Sequence, residues 1–253
     1  MTRRLSSVAT FAALFLGIAV AQDSVPYTRD EVATLKRKLV AALDAVGQPP
    51  AGYAKERESF NLPTDVGKNH ESGLFHLAYG GAQRTYGADK SAEKSEKDFQ
   101  KEYEKKIAEA QAKGDYVAMS KLAQEMQQKA GQLQLKKVEG KKVPIDIHIN
   151  FNSGGGEAID PDGVLFEKTG LIALKEKNDG NDEKSRVRIF FDPVHLKDTK
   201  QLSKVDMKMP EKGVSSKTAV YNITMEFDGP TVEIEAWAKK IDTGKILAQI
   251  DGK

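Results

Sequence analysis

Strict alternation of apolar and polar residues between positions 145 and 152 is the feature that most constrains the fold of this chain. The odd positions are large and apolar and the even ones are polar: Ile145, Asp146, Ile147, His148, Ile149, Asn150, Phe151 and Asn152. Successive side chains of a strand point to opposite faces, so the segment predicts a strand with one buried and one polar face. Such strands are typical of antiparallel sheets that are packed on one side.

Further strands are predicted at intervals along the chain. They cover 74–79 and, after an interruption at Gly80-Gly81, 82–86, and then 164–175, 186–192, 218–227, 231–240 and 245–250. Asp228-Gly229 is a hairpin dipeptide, and Asp242-Thr243-Gly244 suits a type I turn followed by a glycine bulge. Because such short links cannot connect parallel neighbours, we expect the last three strands to form an antiparallel meander.

Two helical regions precede most of these strands. Thr28 and Glu31 have the spacing of a capping box, and apolar residues at helical intervals extend from Val32 to Val46. Residues 51–72 show no sustained period and are expected to be irregular. From about 91 to 137 the chain is rich in Lys, Glu, Gln and Ala, and Gly114-Asp115 in its middle predicts a helical hairpin.

These patterns together predict an α+β protein. An N-terminal amphipathic helix and a helical hairpin are combined with a mainly antiparallel sheet of about five to seven strands. The expected segments are a signal peptide (1–21), an N-terminal helix with an irregular and strand segment (22–90), the hairpin (91–142) and an antiparallel β-rich region (143–253). Residues 22–253 form either a single domain or two small ones.

The N-terminus has the composition of a secretory signal peptide. Arg3 and Arg4 precede an uncharged, mainly apolar run that ends in Ala19-Val20-Ala21. We therefore expect export to the periplasm or beyond, with cleavage after Ala21 and no transmembrane anchor in the mature chain. The paired arginines also permit the twin-arginine route, although Ser6-Ser7 follows where that signal usually has apolar residues.

Charge and cysteine content exclude several function classes. The formal net charge is +2, and loss of the two leader arginines leaves a neutral chain, so nucleic acid is not an expected partner. The sequence has no cysteine, which excludes disulfides, thiolate nucleophiles and sulfur-based zinc sites.

Two neighbouring segments are candidate ligand sites. Asp146, His148 and Asn150 share the polar face of the alternating strand, where a groove would use His148 as a base or ligand and a solvated face would need no ligand. Ser153 with Gly154, Gly155 and Gly156 follows that strand, and successive glycine amides can turn toward an anion. No P-loop Lys-Ser follows, so we favour a flexible loop.

Acidic residues are the candidate metal ligands. Glu157, Asp160 and Asp162 form one cluster, and Asp179, Asn181, Asp182 and Glu183 form a second. Neither has the spacing of an EF-hand loop, so turn chemistry competes with calcium at both. No other cofactor is indicated.

The expected function is that of a binding module. No His-x-x-x-His motif, nucleophile elbow or P-loop occurs, which favours a non-enzymatic binding or structural module of the cell envelope. Its partner would be an unidentified envelope protein or a small ligand, and Met119 and Met126 on the second hairpin helix are adaptable apolar contacts. The alternative is an envelope hydrolase or small-ligand protein with a cleft near Gly154-Gly156 and His148.

Overall fold

The computed structural model describes residues 23–89, 91–138, 142–177 and 184–251. The predicted signal peptide and the second acidic cluster, 179–183, lie outside these ranges. Helices α1–α5 cover Arg29–Asp44, Ser91–Ala112, Tyr116–Val138, Thr231–Ala238 and Thr243–Leu247. Strands β1–β11 cover Asp23–Pro26, Tyr53–Asn61, Asp65–Lys68, Gly80–Ala88, Ile145–Phe151, Gly155–Ala158, Val164–Lys168, Leu171–Lys177, Lys184–Phe191, Lys204–Met207 and Ile223–Pro230.

Seven strands form the main sheet. They lie in the order β2-β4-β5-β11-β9-β8-β7, and every neighbouring pair is antiparallel. The predicted α+β class and the antiparallel sheet are therefore confirmed. Two small ribbons accompany the sheet, one formed by β1 and β3 and the other by β6 and β10.

One face of the sheet is covered by α1, α4 and α5. The odd residues of β5, from Ile145 to Phe151, point into this core and are almost completely buried. Trp237 on α4 packs edge-on against Tyr86 and Phe227, with ring centroids 4.9 and 5.8 Å apart. Its Nε1 donates a hydrogen bond to the Val46 carbonyl, at 2.9 Å, which joins α4 to the end of α1.

The other face, which we call the polar face, is only partly covered. The β6–β10 ribbon lies over strands β8 and β9, where Val205 and Met207 pack with Ile172, Leu174 and Phe190 in a small apolar cluster. Toward β4 and β5 the side chains are polar and half-buried.

Helices α2 and α3 form a hairpin inserted between two adjacent strands. Tyr86 of β4 pairs with Ile145 of β5, so the hairpin leaves and re-enters the sheet at neighbouring points. Tyr103 is buried and its hydroxyl donates to Glu125 of the facing helix, at 3.1 Å. At 1.5 Å per residue each arm is about 33 Å long.

The predicted C-terminal meander is wrong, because residues 231–238 and 243–247 are helical. Alternating Val232, Glu233 and Ile234 suggests a strand, but Ile234, Trp237, Ala238 and Ile241 also have helical spacing and are the residues that are buried. Val232 is 78 % exposed. Asp242 caps α5 by accepting the Lys245 amide, at 3.1 Å, instead of forming a hairpin turn.

Three other local predictions are also wrong. Residues 51–72 contain β2 and β3; β2 is an edge strand with a bulge between Lys55 and Arg57, which breaks its alternation. The predicted strand over 74–79 makes only isolated bridges at Phe75. Residues 164–175 form two strands, because Gly170, at φ 83°, turns the chain between them.

Candidate functional site

The polar face brings together side chains from five strands in register. One row across the sheet contains Gln83, His148, Glu226, Arg188 and Leu174. The next row contains Thr85, Asp146, Asp228, Arg186 and Glu176. Directly opposed residues are neighbours on one face, so each row is a line of adjacent side chains across the sheet.

The β9–β11 half of the polar face is a network of paired charges. Arg188 contacts Glu226 at 3.2 Å and Glu176 at 3.3 Å, and it also pairs with Glu157 of β6. Arg186 contacts Asp228 at 2.9 Å and Glu226 at 3.3 Å. Burial raises the pKa of Glu226 and its contact with Asp228 raises it further, while the two arginines act in the opposite direction. These charges satisfy one another and fasten the β6–β10 ribbon to the sheet.

The β4–β5 half consists of smaller polar groups. Asp146 accepts hydrogen bonds from Gln83 Nε2, at 3.1 Å, and from Thr85 Oγ1, at 2.6 Å. Asn150 Oδ1 accepts from the Tyr79 hydroxyl, at 2.8 Å. Within the described residues, the His148 ring and Asn150 Nδ2 have no hydrogen-bond partner. Donors and acceptors are therefore available to a ligand on this half.

Gly81 makes the contact between Tyr79 and Asn150 sterically feasible. A Cβ atom at Gly81 would lie 2.8 Å from Asn150 Oδ1 and 3.3 Å from the Ile149 carbonyl oxygen. The lack of a side chain lets the Asn150 carboxamide lie across β4 and reach the Tyr79 hydroxyl. Tyr79, Gln83 and Thr85 were missed as site residues by sequence reasoning, because they become neighbours of Asp146 and Asn150 only through strand pairing.

The predicted glycine loop is partly a strand. Ser153 remains close to the polar face, where its hydroxyl donates to Thr224 Oγ1, at 3.1 Å. Gly155 and Gly156, however, pair with Met207 and Asp206 of β10. The expectation of a flexible loop over Gly154–Gly156 is therefore wrong for its last two residues, since part of their backbone hydrogen bonding is committed to the ribbon.

Glu157, Asp160 and Asp162 line a cleft of about 660 Å³ beside Glu176. Glu157 is paired with Arg188, and Asp160 Oδ1 accepts the Asp162 amide at 3.0 Å, as in an Asx turn. Within the part of the chain that the structure describes, no three His, Asp or Glu side chains are grouped so that they could hold a metal ion.

The candidate partner-binding residues Met119 and Met126 lie apart from the polar face, as does another histidine, His195. Met119 and Met126 are half-buried on α3 of the hairpin. His195 Nδ1 contacts Asp192 Oδ2 at 2.8 Å, in the loop after β9. Asp192 is buried and also accepts the backbone amides of Val194 and His195, so this pair anchors the loop.

Comparison with family models, with curated proteins and with solved structures finds no match to this chain. In the described residues no helix has the length and apolar character needed to cross a membrane.

Proposed function

We propose that this chain is an exported, non-enzymatic binding module of the cell envelope, and that the β4–β5 half of the polar face contacts its ligand. One observation carries the proposal: His148 and Asn150 Nδ2 present hydrogen-bonding groups that the described protein does not use. Polar groups that a protein leaves unused on a sheet face are suited to recognition of a ligand.

The arrangement favours binding over catalysis. A catalytic imidazole is normally oriented by a second group, but His148 has no such partner within the described residues. The nearby Asp146 already accepts two hydrogen bonds, and the arginines of the adjoining half are paired with carboxylates. These contacts fix the side chains without pairing a nucleophile with a base.

The hairpin is proposed as a second surface, for an envelope protein. Tyr116 and Val117, at the start of α3, are each 80 % exposed at the tip of the arms. Met119 follows them on the same helix and offers an adaptable apolar contact. A projecting arm with apolar residues at its tip is suited to contact with another protein.

The alternative is a small-ligand protein or hydrolase that uses His148. The observation that favours it is the register pairing of His148 with Glu226, whose pKa is raised by burial. A carboxyl group that holds its proton more tightly beside an imidazole is suited to acid–base chemistry. Hydrolysis of model esters or glycosides that is lost in His148→Ala and Glu226→Gln would favour this alternative.

Export is tested by mass spectrometry of the protein recovered from the envelope fraction. We expect an N-terminus at Gln22, because Ala19 and Ala21 have the small side chains that signal peptidase requires. An N-terminus near Met1 would contradict export by this route.

Binding is tested with isotope-labelled mature protein titrated with fractionated envelope extract. We expect backbone amide resonances of β4 and β5 to shift, while those of the paired β9–β11 half change less. A matched sample of Asn150→Ala should lose most of these shifts. Extracts that leave the resonances of β4 and β5 unchanged would contradict the proposal.

A further inference from the structure

We infer that the ligand of the β4–β5 half is a neutral carbohydrate. This inference rests on the proposed binding function and adds the chemical class of the ligand. The central residue of the site is Tyr79, which is 51 % exposed and whose hydroxyl is hydrogen-bonded to Asn150 at 2.8 Å. An aromatic ring held beside a carboxamide offers both kinds of contact that a sugar ring needs.

The first kind of contact is apolar. Sugar rings have faces of C–H groups that pack on aromatic rings, and tyrosine provides such a ring with little loss of side-chain entropy. Tyr79 is one of five large apolar or aromatic residues that remain exposed in the described part of the chain. It is the one that lies next to the unpartnered polar groups of the sheet.

The second kind of contact is hydrogen bonding to hydroxyl groups. Each sugar hydroxyl both donates and accepts, so it is matched by neighbouring groups of both types. Asn150 Nδ2 is a donor without a partner among the described residues, and a neutral His148 ring offers one donor and one acceptor. The Gln83 Nε2 donates to Asp146, so the Gln83 side-chain oxygen is left as an acceptor. The pairing of β4 with β5 places these groups on adjacent strands.

The charge of this half argues for a neutral ligand. Asp146 is its one carboxylate, and Gln83 and Thr85 already donate to it. The arginines of the β9–β11 half are paired with Glu226 and Asp228, while Arg57 of the neighbouring strand β2 pairs in register with Thr85 and is exposed. The carboxylate of Asp146 and the guanidinium of Arg57 carry opposite unit charges, so this surface has no excess of either sign that would select a charged ligand. A cationic ligand at Asp146 would also compete with its two existing hydrogen bonds.

The site is held in its binding geometry before any ligand arrives. The Tyr79 hydroxyl is fixed by Asn150, and the carboxamide of Asn150 lies over Gly81, where any larger residue would collide with it. Groups fixed in this way lose little conformational entropy on binding, which favours measurable affinity at a shallow, open surface.

The test titrates labelled mature protein with neutral linear oligosaccharides, namely maltohexaose, cellohexaose and chitohexaose. We expect at least one of them to shift the amide resonances of β4 and β5. Tyr79→Ala should weaken that binding about tenfold or more, because it removes the stacking ring. Gly81→Ala should also weaken it by displacing Asn150, whereas Tyr79→Phe should keep more of the binding than Tyr79→Ala.

Val232→Ala is the control, since it shortens an exposed apolar side chain on α4, the helix that covers the opposite face of the sheet, and should leave affinity unchanged. Circular dichroism melts establish that each variant is folded. If Tyr79→Ala does not fold, the oligosaccharide affinities of Gly81→Ala and Tyr79→Phe are compared with that of the native protein instead. The absence of binding by all three oligosaccharides, or equal binding by Tyr79→Ala, would overturn the inference. So would tighter binding of an oligogalacturonate of the same length, because it is anionic.

The extract titration described above separates the two possible failures. Envelope extract that perturbs β4 and β5 while the oligosaccharides do not would overturn the carbohydrate assignment and leave the binding function standing. Extract and oligosaccharides that both leave these strands unperturbed would contradict the binding function itself.

Discussion

Asn152 donates a hydrogen bond from its side-chain Nδ2 to the carbonyl of Ala78, at 2.7 Å, and thereby fixes the residue that precedes Tyr79. The same Nδ2 donates to the Ala219 carbonyl at 2.9 Å, and Oδ1 accepts the Tyr221 amide at 2.8 Å. Asn152 is buried and has φ 56°, a conformation that asparagine tolerates better than most residues. One side chain therefore joins two separate loops, around Ala78 and around residues 219–221, to the end of β5.

Replacing Asn152 with Ala should lower the free energy of unfolding by about 2–4 kcal/mol. The change leaves buried backbone groups without partners and places a Cβ residue in the left-handed region without the compensating hydrogen bonds. Urea unfolding measures the loss. Asn152→Gly also lacks the hydrogen bonds but relieves the backbone strain, so it should be less destabilised than Asn152→Ala. A loss below about 0.5 kcal/mol in Asn152→Ala would show that the loops are held by other contacts.

Strand β5 could be predicted because its pattern is local. Alternation from Ile145 to Phe151 specifies both the strand and its buried face without reference to the rest of the chain. Residues 231–250 could not be assigned in this way, because Val232, Glu233 and Ile234 fit a strand while Ile234, Trp237 and Ile241 fit a helix. The packing of Trp237 against Tyr86 and the Val46 carbonyl, which are distant in sequence, favours the helix.

Ile147 and His148 give a direct test of the two faces of β5. Ile147→Asp should cost several kcal/mol, because Ile147 is completely buried and the aspartate would have no partner in an apolar core. His148→Ala should change stability by less than about 1 kcal/mol, because its ring is half-buried on the polar face. Parallel urea melts of the two variants provide the comparison, and the reverse order would contradict the assignment of the faces.

The candidate site was predictable only on its own strand. Asp146, His148 and Asn150 follow from the alternation, whereas their neighbours Gln83 and Thr85 are about sixty residues away in the sequence and meet them through the pairing of β4 with β5. The role of Gly81 depends on the same register, since its missing side chain matters only where Asn150 lies above it. Register between strands separated by a hairpin is not encoded in any short pattern.

Glu31 should make stability depend on pH. The Thr28 backbone amide donates to Glu31 at 2.7 Å and Lys217 Nζ contacts it at 3.0 Å, and these bonds lower the pKa of its carboxyl group. A lowered pKa contributes stability above the pKa of the unfolded chain, and that contribution is lost as pH falls through the folded value. Glu31→Gln should therefore be less stable than the native protein at pH 7.

The difference in free energy of unfolding between the native protein and Glu31→Gln should become smaller as the pH is lowered from 7 toward about 3. Urea unfolding at each pH measures this difference. Glu211→Gln is the control, because Glu211 is exposed and makes no ion pair within the described residues. A stability difference that stays constant over this pH range would show that the ionised carboxylate of Glu31 does not stabilise the folded protein.

Excision of the hairpin should leave a folded body. The Asp89 amide donates to the Gly52 carbonyl at 2.9 Å, and Lys142 Nζ contacts the Ala51 carbonyl oxygen at 2.5 Å, so both ends of the insertion are held at one turn. A short Gly/Ser linker from Asp89 to Lys142 should therefore close the gap between β4 and β5, with a free energy of unfolding within about 1–2 kcal/mol of that of the native protein.

The stability of the shortened chain is measured by urea unfolding. Trp237, the single tryptophan, reports on the core by fluorescence, while circular dichroism should show the loss of helix. Carbohydrate binding on β4 and β5 should persist and binding of an envelope protein should be lost. A shortened chain that unfolds would show instead that the arms are part of the core.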